Sequence, residues 1–343
     1  MTGNRGIWRR PYFFEVFTIA NFIVIYVLVS LKNQLVLTTI PATFASLVPV
    51  LAGYALAGVL VRAVVAYFRG ELPAYLRVIR SAGWLLDTAR YVIFGALMVH
   101  TYFWIKLMVP LMHPELFDQQ LWNLDQAMLF GHSPNVLFLD LLSNPTALRV
   151  IDWSYARIFF ASMALAFSFF LSSPSRRLRA GFSTGSSLLW MTGAWLYLLI
   201  PSIGPAYSFP DVWAAAAPFL ELSRHFQAVL MKSYRAVLQL PAGGSTDNVQ
   251  LMFGVAAFPS LHVAFQTFAF LWMRRLWIYG QIVFGLFAFV ILIGSVITGW
   301  HYLIDGLAGM AMALFCYDIS LRLWSIRRWR RLRARQKLLA LSS

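Results

Sequence analysis

Two stretches of the sequence, Ala257-Phe-Pro-Ser-Leu-His262 and Thr298-Gly-Trp-His-Tyr-Leu-Ile-Asp305, set ionisable side chains at the edges of apolar runs. Ionisable groups are costly inside a bilayer, and where they occur they usually mark a functional site. A Pro-Ser pair is typical of a helix start, and His262 follows one closely. His301 and Asp305 are four residues apart, so on a helix they share one face and can hydrogen-bond. The two stretches therefore predict one site with two histidines and an aspartate.

The composition of the chain is that of a membrane protein. Of its 343 residues, 60% are hydrophobic and 12% are charged, whereas soluble domains are about 25% charged. The formal net charge of +15 would suggest nucleic-acid binding in a soluble protein. Here the basic residues stand between apolar runs, where they set orientation, so we expect a membrane and no nucleic acid as partner. The single cysteine, Cys316, excludes an intramolecular disulfide.

Eight apolar runs are long enough to cross a bilayer, which predicts an all-α polytopic membrane protein. The predicted spans are Tyr12–Leu31, Pro41–Phe68, Tyr91–Met112, Trp153–Leu171, Thr184–Pro201, Met252–Met273, Leu276–Gly299 and Trp300–Leu321. Gly70–Arg90 alternates leucines with charged residues, which predicts an amphipathic helix on the membrane surface. Pro114–Asn144 is expected to form a loop with short interfacial helices. The Pro- and Gly-rich stretch from Ile200 should end the fifth span, and Ser202–Gln250 is the longest segment outside the spans.

The basic residues predict how the chain is oriented. With a cytoplasmic N-terminus and eight spans, 20 of the Lys and Arg residues lie on the cytoplasmic side and 5 on the other. The positive-inside rule favours this topology. It places His262 and His301 together on the non-cytoplasmic face. We therefore expect a multi-pass protein of a bacterial inner membrane whose active site faces the periplasm, or a lumen.

The residue types at this face suit chemistry on a phosphoester. Such a reaction needs a nucleophile or base, an acid for the leaving oxygen, and positive groups around the phosphate. His301, oriented by Asp305, can be the first, because a carboxylate fixes the imidazole tautomer and stabilises its cation. His262 can be the acid. Ser260 and the N–H groups after it form a helix start that can bind an anion. Lys106 lies near the same end of the third span.

These residues resemble the type 2 phosphatidic acid phosphatase superfamily, whose three motifs are K-x6-R-P, P-S-G-H and S-R-x5-H-x3-D. This chain has K-x6-H-P from Lys106 to Pro114, then P-S-L-H ending at His262, and H-x3-D from His301. The resemblance implies a metal-independent reaction without a cofactor. It implies a six-helix catalytic core at 91–321, preceded by a two-span addition with its surface helix at 1–90 and followed by a basic cytoplasmic tail at 322–343. It also implies that Lys106, His113 and Ser260 bind the substrate phosphate.

The departures from these motifs point to one branch of the superfamily. The arginine of the first motif is His113, the Ser-Arg of the third is Gly294-Ser295, and the P-S-G-H glycine is Leu261. F-P-S-L-H and H-Y-x2-D resemble the signature of the inositol phosphorylceramide synthase-like branch. That resemblance implies a phosphotransferase. Its reaction would move a phosphorylated headgroup from a phospholipid, such as phosphatidylinositol, to the hydroxyl of a lipid or glycan acceptor, such as ceramide.

Other interpretations stay open at this level. A phosphatase of the same superfamily would use water as acceptor and act on phosphatidic acid or a polyprenyl diphosphate. Two histidines and an aspartate could also hold a metal ion. A transporter or lipid-binding protein on the same fold would need polar residues deep in the spans, of which Arg62 and Arg157 are the main ones. Asp118 and Asp125 are expected to cap loops rather than to act in catalysis.

Overall fold

The computed structural model describes residues 11–32, 36–240 and 249–340, and these residues form α-helices and short 3-10 turns without a strand. Residues 1–10 of the predicted N-terminal addition and 341–343 of the predicted tail lie outside the described part. The helices are α1 Phe13–Lys32, α2 Val36–Phe68, α3 Leu72–Ile79, α4 Ala82–Met112, α5 Asp118–Met128, α6 Pro134–Leu141, α7 Pro145–Leu171, α8 Arg176–Leu199, α9 Pro205–Ser208, α10 Glu221–Gln239, α11 Leu261–Met273, α12 Ile278–Ile297 and α13 Leu303–Ala340. The prediction of an all-α polytopic protein is confirmed.

Six of these helices are long and apolar enough to cross a membrane. They are Phe13–Leu31, Phe44–Phe68, Ala82–Met112, Pro145–Leu171, Ile278–Ile297 and Leu303–Leu323. The other two predicted spans correspond to α8, a helix rich in Gly, Ser and Thr, and to α11. Both are mostly buried inside the bundle, where α8 packs on α4 and α13, and α11 packs on α12 and α13. Helix α11 is apolar but only 13 residues long, and α8 begins with three arginines within four residues, so neither is counted among the six candidate spans.

Several predicted helix starts differ from those in the structure. The predicted span Met252–Met273 starts as a loop, because its helix begins only at Leu261, after the cap at Ser260. The predicted surface helix Gly70–Arg90 is two elements, since α3 ends at Ile79 and α4 begins at Ala82. Ser81 caps α4 by accepting a hydrogen bond from Trp84 N at 3.3 Å. By contrast, α8 ends at Leu199, as the Pro- and Gly-rich stretch predicts.

The end of the bundle opposite to the histidines is held by an ionic cluster. Arg90 of α4 donates to both oxygens of Glu15 of α1, with an Nε–Oε1 distance of 2.6 Å. Arg176 of α8 pairs with Asp87 of α4 at 3.1 Å. Glu15 and Asp87 are buried, and a buried charge is tolerated only when it is paired. The cluster therefore joins α1, α4 and α8 at the face that the basic residues predict to be cytoplasmic.

The long connection between α8 and α11 contains an amphipathic helix at the other end of the bundle. This helix, α10, packs on α4, on α7 and on the 3-10 turn Leu251–Phe253. Its buried side includes Gln227, Ser233 and Val237, and its exposed side includes Lys232 and Arg235. Gln227 of this helix donates a hydrogen bond to Thr298 O, in the segment that holds His301.

The division of the chain at residues 90 and 321 stays a prediction.

Candidate active site

The structure brings together the three side chains that the two sequence stretches predict. His301 Nε2 lies 3.4 Å from His262 Nδ1, and His301 Nδ1 lies 3.3 Å from Asp305 Oδ2. Asp305 is fully buried and His301 is 4% exposed. When Nδ1 of His301 is protonated it donates to the carboxylate, which leaves Nε2 with its lone pair. That nitrogen is the one next to His262.

His301 does not lie on the helix of Asp305, which corrects the shared helical face predicted above. Helix α12 ends at Ile297 and α13 begins at Leu303, so His301 belongs to the turn between them. The carboxylate of Asp305 still reaches the ring of His301, because its Oδ2 also accepts a hydrogen bond from the N–H of Tyr302, the next residue in the turn, at 3.0 Å. Gly299 has a φ of 74°, and a Cβ there would lie 2.6 Å from Cβ of Ala206. This turn therefore needs a glycine for both its backbone conformation and its packing.

Side chains from distant elements hold this turn through its carbonyl groups. Asn135 Nδ2 donates to Val296 O at 2.8 Å and to His301 O at 3.2 Å. Trp213 Nε1 donates to Ile297 O at 2.7 Å, and Gln227 Nε2 donates to Thr298 O at 3.0 Å. The carbonyl groups at the end of α12 are thereby satisfied away from water. No motif in the sequence identifies these three residues, so the sequence alone did not predict them.

Two buried aspartates cap backbone segments around the site, as predicted. Asp125 accepts Leu303 N at 2.7 Å and Ile304 N at 2.8 Å, so it caps α13 from another helix. Burial raises the pKa of Asp125 to about 6, against the effect of these two N–H groups. Asp118 accepts Ile203 N, Gly204 N and the hydroxyl of Tyr302, at 3.0, 2.8 and 2.8 Å. Both side chains thus orient the turn that contains His301.

His262 lies in the first turn of α11, directly after the cap at Ser260. Its ring packs on Phe159 at 4.1 Å and on Tyr155 at 5.7 Å between ring centres. Ser260 Oγ accepts Val263 N at 3.4 Å, and Ser260 N donates to Asp305 O at 2.9 Å. Ser260 therefore fastens the start of α11 to α13. Its predicted contact with a substrate phosphate remains a prediction.

The two predicted basic groups of α4 lie in different surroundings. Lys106 Nζ lies 5.6 Å from the ring centre of Tyr197, and its charge acts on both His262 and His301. Burial, followed by the charge of Lys106, lowers the pKa of His301 below its ordinary value, which favours a neutral imidazole. His113 ends α4, and its Nδ1 donates to Leu198 O at 3.0 Å. Of these two basic groups, Lys106 is thus the one whose charge acts on the histidine pair.

Two other features bear on the alternatives. Among the residues that the structure describes, no three His, Cys, Asp or Glu side chains are grouped as metal ligands would be. Arg62 donates to Ser172 Oγ at 2.9 Å and to Phe169 O at 2.8 Å, so it satisfies the end of α7. A cation at a helix C-terminus is stabilising. Arg62 therefore has structural partners at the end of α7.

A comparison with known protein families gives a match that includes the candidate site. The family model described as the PAP2 superfamily matches residues 119–319, which is more than half of the chain. The matched segment includes His262, His301 and Asp305. No curated protein and no solved structure matches the chain. The protein therefore belongs to the PAP2 superfamily of lipid phosphatases and phosphotransferases, and it is a multi-pass membrane protein.

Proposed function

We propose that this protein is a phosphotransferase of the inositol phosphorylceramide synthase-like type. It would move a phosphorylated headgroup from a phospholipid, such as phosphatidylinositol, to a lipid or glycan hydroxyl, such as that of ceramide. The observation that supports transfer over phosphatase activity is the low positive charge at the site. Among the described residues, the cation that acts on both histidines is Lys106.

The charge of the substrate explains why this observation matters. A phosphomonoester has about two negative charges at neutral pH, whereas a phosphodiester has one. Arginine binds a phosphate through two parallel hydrogen bonds and is always charged. The two arginine positions of the superfamily motifs are His113 and Ser295 in this chain. A single lysine suits the monoanionic diester better than the dianion.

In the first step of the proposed mechanism, His301 Nε2 attacks the phosphorus of the donor. The bond from phosphorus to the diacylglycerol oxygen breaks, and His262 gives its proton to that oxygen. Lys106 offsets the charge on the phosphate oxygens, and Asp305 stabilises the cationic ring of the phosphohistidine. The bound anion in turn offsets the charge of Lys106, which helps His262 to hold a proton. Diacylglycerol leaves with the donor's two acyl chains.

In the second step the acceptor hydroxyl gives its proton to His262 and attacks the same phosphorus. The bond between phosphorus and Nε2 breaks, and His301 returns to its neutral form. A direct transfer with His301 as a base requires the same groups. The burial of His301, which is 4% exposed, supports a lipid alcohol rather than bulk water as acceptor. The orientation of the basic residues supports a site on the non-cytoplasmic side.

The test compares two reactions of the purified protein. In the first, radiolabelled phosphatidylinositol is supplied with and without ceramide, and we expect a labelled product that depends on ceramide. In the second, phosphatidic acid is supplied alone, and we expect little release of inorganic phosphate. Rapid phosphate release, with no acceptor-dependent product in the first reaction, would contradict the proposal and favour a lipid phosphatase.

A further inference from the structure

Beside the histidine pair, the buried hydroxyl of Tyr155 has no hydrogen-bond partner among the described residues. Tyr155 lies on α7 and is 5% exposed, and its hydroxyl makes no hydrogen bond in the described part of the chain. Buried hydroxyls are nearly always hydrogen-bonded, because leaving one unpaired costs free energy. An unpaired hydroxyl next to a reactive site is therefore suited to a hydrogen bond with a bound substrate.

The packing of the ring determines where this hydroxyl lies. A Cβ on Gly294 would lie 3.0 Å from Cβ of Tyr155, so the side chain of Tyr155 starts in close contact with α12. The ring then passes His262, with 5.7 Å between ring centres. The phenol ring is thus next to His262, one of the two histidines on which the charge of Lys106 acts.

The residue after Gly294 is Ser295, and it offers no phosphate ligand of its own. Ser295 stands where the superfamily motif has an arginine, and it is fully buried. Its Oγ donates to Leu292 O at 2.8 Å, within its own helix. A serine at this position therefore cannot replace the missing guanidinium, but Tyr155 packs against the adjacent Gly294.

We propose that the Tyr155 hydroxyl donates a hydrogen bond to a non-bridging oxygen of the substrate phosphate. This hydroxyl would be a neutral hydrogen-bond donor that acts beside the charged Lys106, at a site where the superfamily motif has an arginine. This inference deepens the proposed function and rests on it, because one lysine and one neutral donor match a monoanionic diester. A neutral donor binds the phosphate without adding positive charge next to His301, which must stay neutral to attack.

The test measures binding of orthovanadate, a phosphate analogue, to the purified full-length protein by calorimetry. Tyr155→Phe removes the hydroxyl and keeps the ring on Gly294. A hydrogen bond to a charged acceptor is worth enough that we expect the dissociation constant to rise about 10- to 100-fold. The matched control is Tyr91→Phe, which changes another buried tyrosine at the opposite end of the bundle. That variant should bind vanadate as the wild type does.

A second measurement does not depend on the variant's folding. Protein with 3-fluorotyrosine at position 155 should show a ¹⁹F shift on addition of vanadate, whereas the label at position 91 should not. Equal vanadate affinities of the wild type and Tyr155→Phe, an unchanged resonance at position 155, or no vanadate binding to the wild type would each overturn the inference. The lipid assays above decide separately between transferase and phosphatase, since vanadate binding requires neither an acceptor nor turnover.

Discussion

Replacement of Asp305 by asparagine separates the charge of this residue from its hydrogen bonds. Oδ2 of Asp305 accepts both Tyr302 N and His301 Nδ1, and among the described residues Oδ1 has no hydrogen-bond partner. An asparagine can place its oxygen at the Oδ2 position and its NH₂ group at the unpaired Oδ1 position. The opposite orientation would set the NH₂ group against the N–H of Tyr302. The variant should therefore keep the ring orientation and tautomer of His301 and lose the negative charge.

The expected loss follows from the distance between the two groups. With a nitrogen–oxygen distance of 3.3 Å, the imidazolium and carboxylate charges of His301 and Asp305 are roughly 4 Å apart. At that separation and an effective dielectric constant of about 20, two unit charges attract by about 4 kcal/mol. A positive charge develops on the ring when Nε2 bonds to phosphorus, so this attraction acts in the transition state. We expect the turnover number of Asp305→Asn to fall roughly 10³-fold.

The assay is the transfer of a radiolabelled headgroup to ceramide, measured with saturating lipids, together with a thermal melt to show that the variant is folded. The matched control is Asp318→Asn on the same helix. Asp318 pairs with Arg322 at 2.6 Å, and its side chain is 54% exposed, so its charge contributes little. If the turnover number of Asp305→Asn stays within about 10-fold of the wild-type value, the negative charge of Asp305 does not stabilise the transition state by the expected amount.

Three further predictions test other parts of the site. His262→Ala should lower turnover about 10²- to 10⁴-fold, the usual contribution of a general acid or base, and near-normal turnover would remove it from the mechanism. Asp125 binds a proton more readily in the folded protein, where its pKa is about 6, than when unfolded, where it is near 3.8. Its stabilising contribution is therefore fully present below about pH 4 and is lost as the pH rises through about 6. The stability advantage of the wild type over Asp125→Asn in detergent melts should shrink over that interval. A difference that stays constant with pH would contradict the raised pKa of Asp125. Lys232→Cys, at an exposed position and in a background with Cys316→Ala, should react with an impermeant thiol reagent in intact cells. Reaction only after permeabilisation would show that the predicted orientation is wrong.

The sequence by itself determined the membrane architecture and predicted which groups are reactive. Hydropathy and chain length identify the lipid-facing helices, because only helices satisfy every backbone group inside a bilayer. The motif order identifies His262, His301 and Asp305, which the structure brings within hydrogen-bonding distance. Local patterns also predict that Asp118 and Asp125 cap loops, since short acidic side chains favour such positions.

Only the tertiary structure decided how the turn at His301 is held and where the neighbouring helices begin. Asn135 and Trp213 bind its carbonyl groups from segments far away in the sequence, and no local pattern records such a contact. Helix α13 begins after His301 because Asp125, on another helix, accepts the N–H groups of its first turn. Likewise α11 begins at Leu261, where Ser260 caps it and donates to Asp305 O. A helix start depends on which side chain satisfies its free N–H groups. Here some of those side chains belong to segments that only the fold brings close.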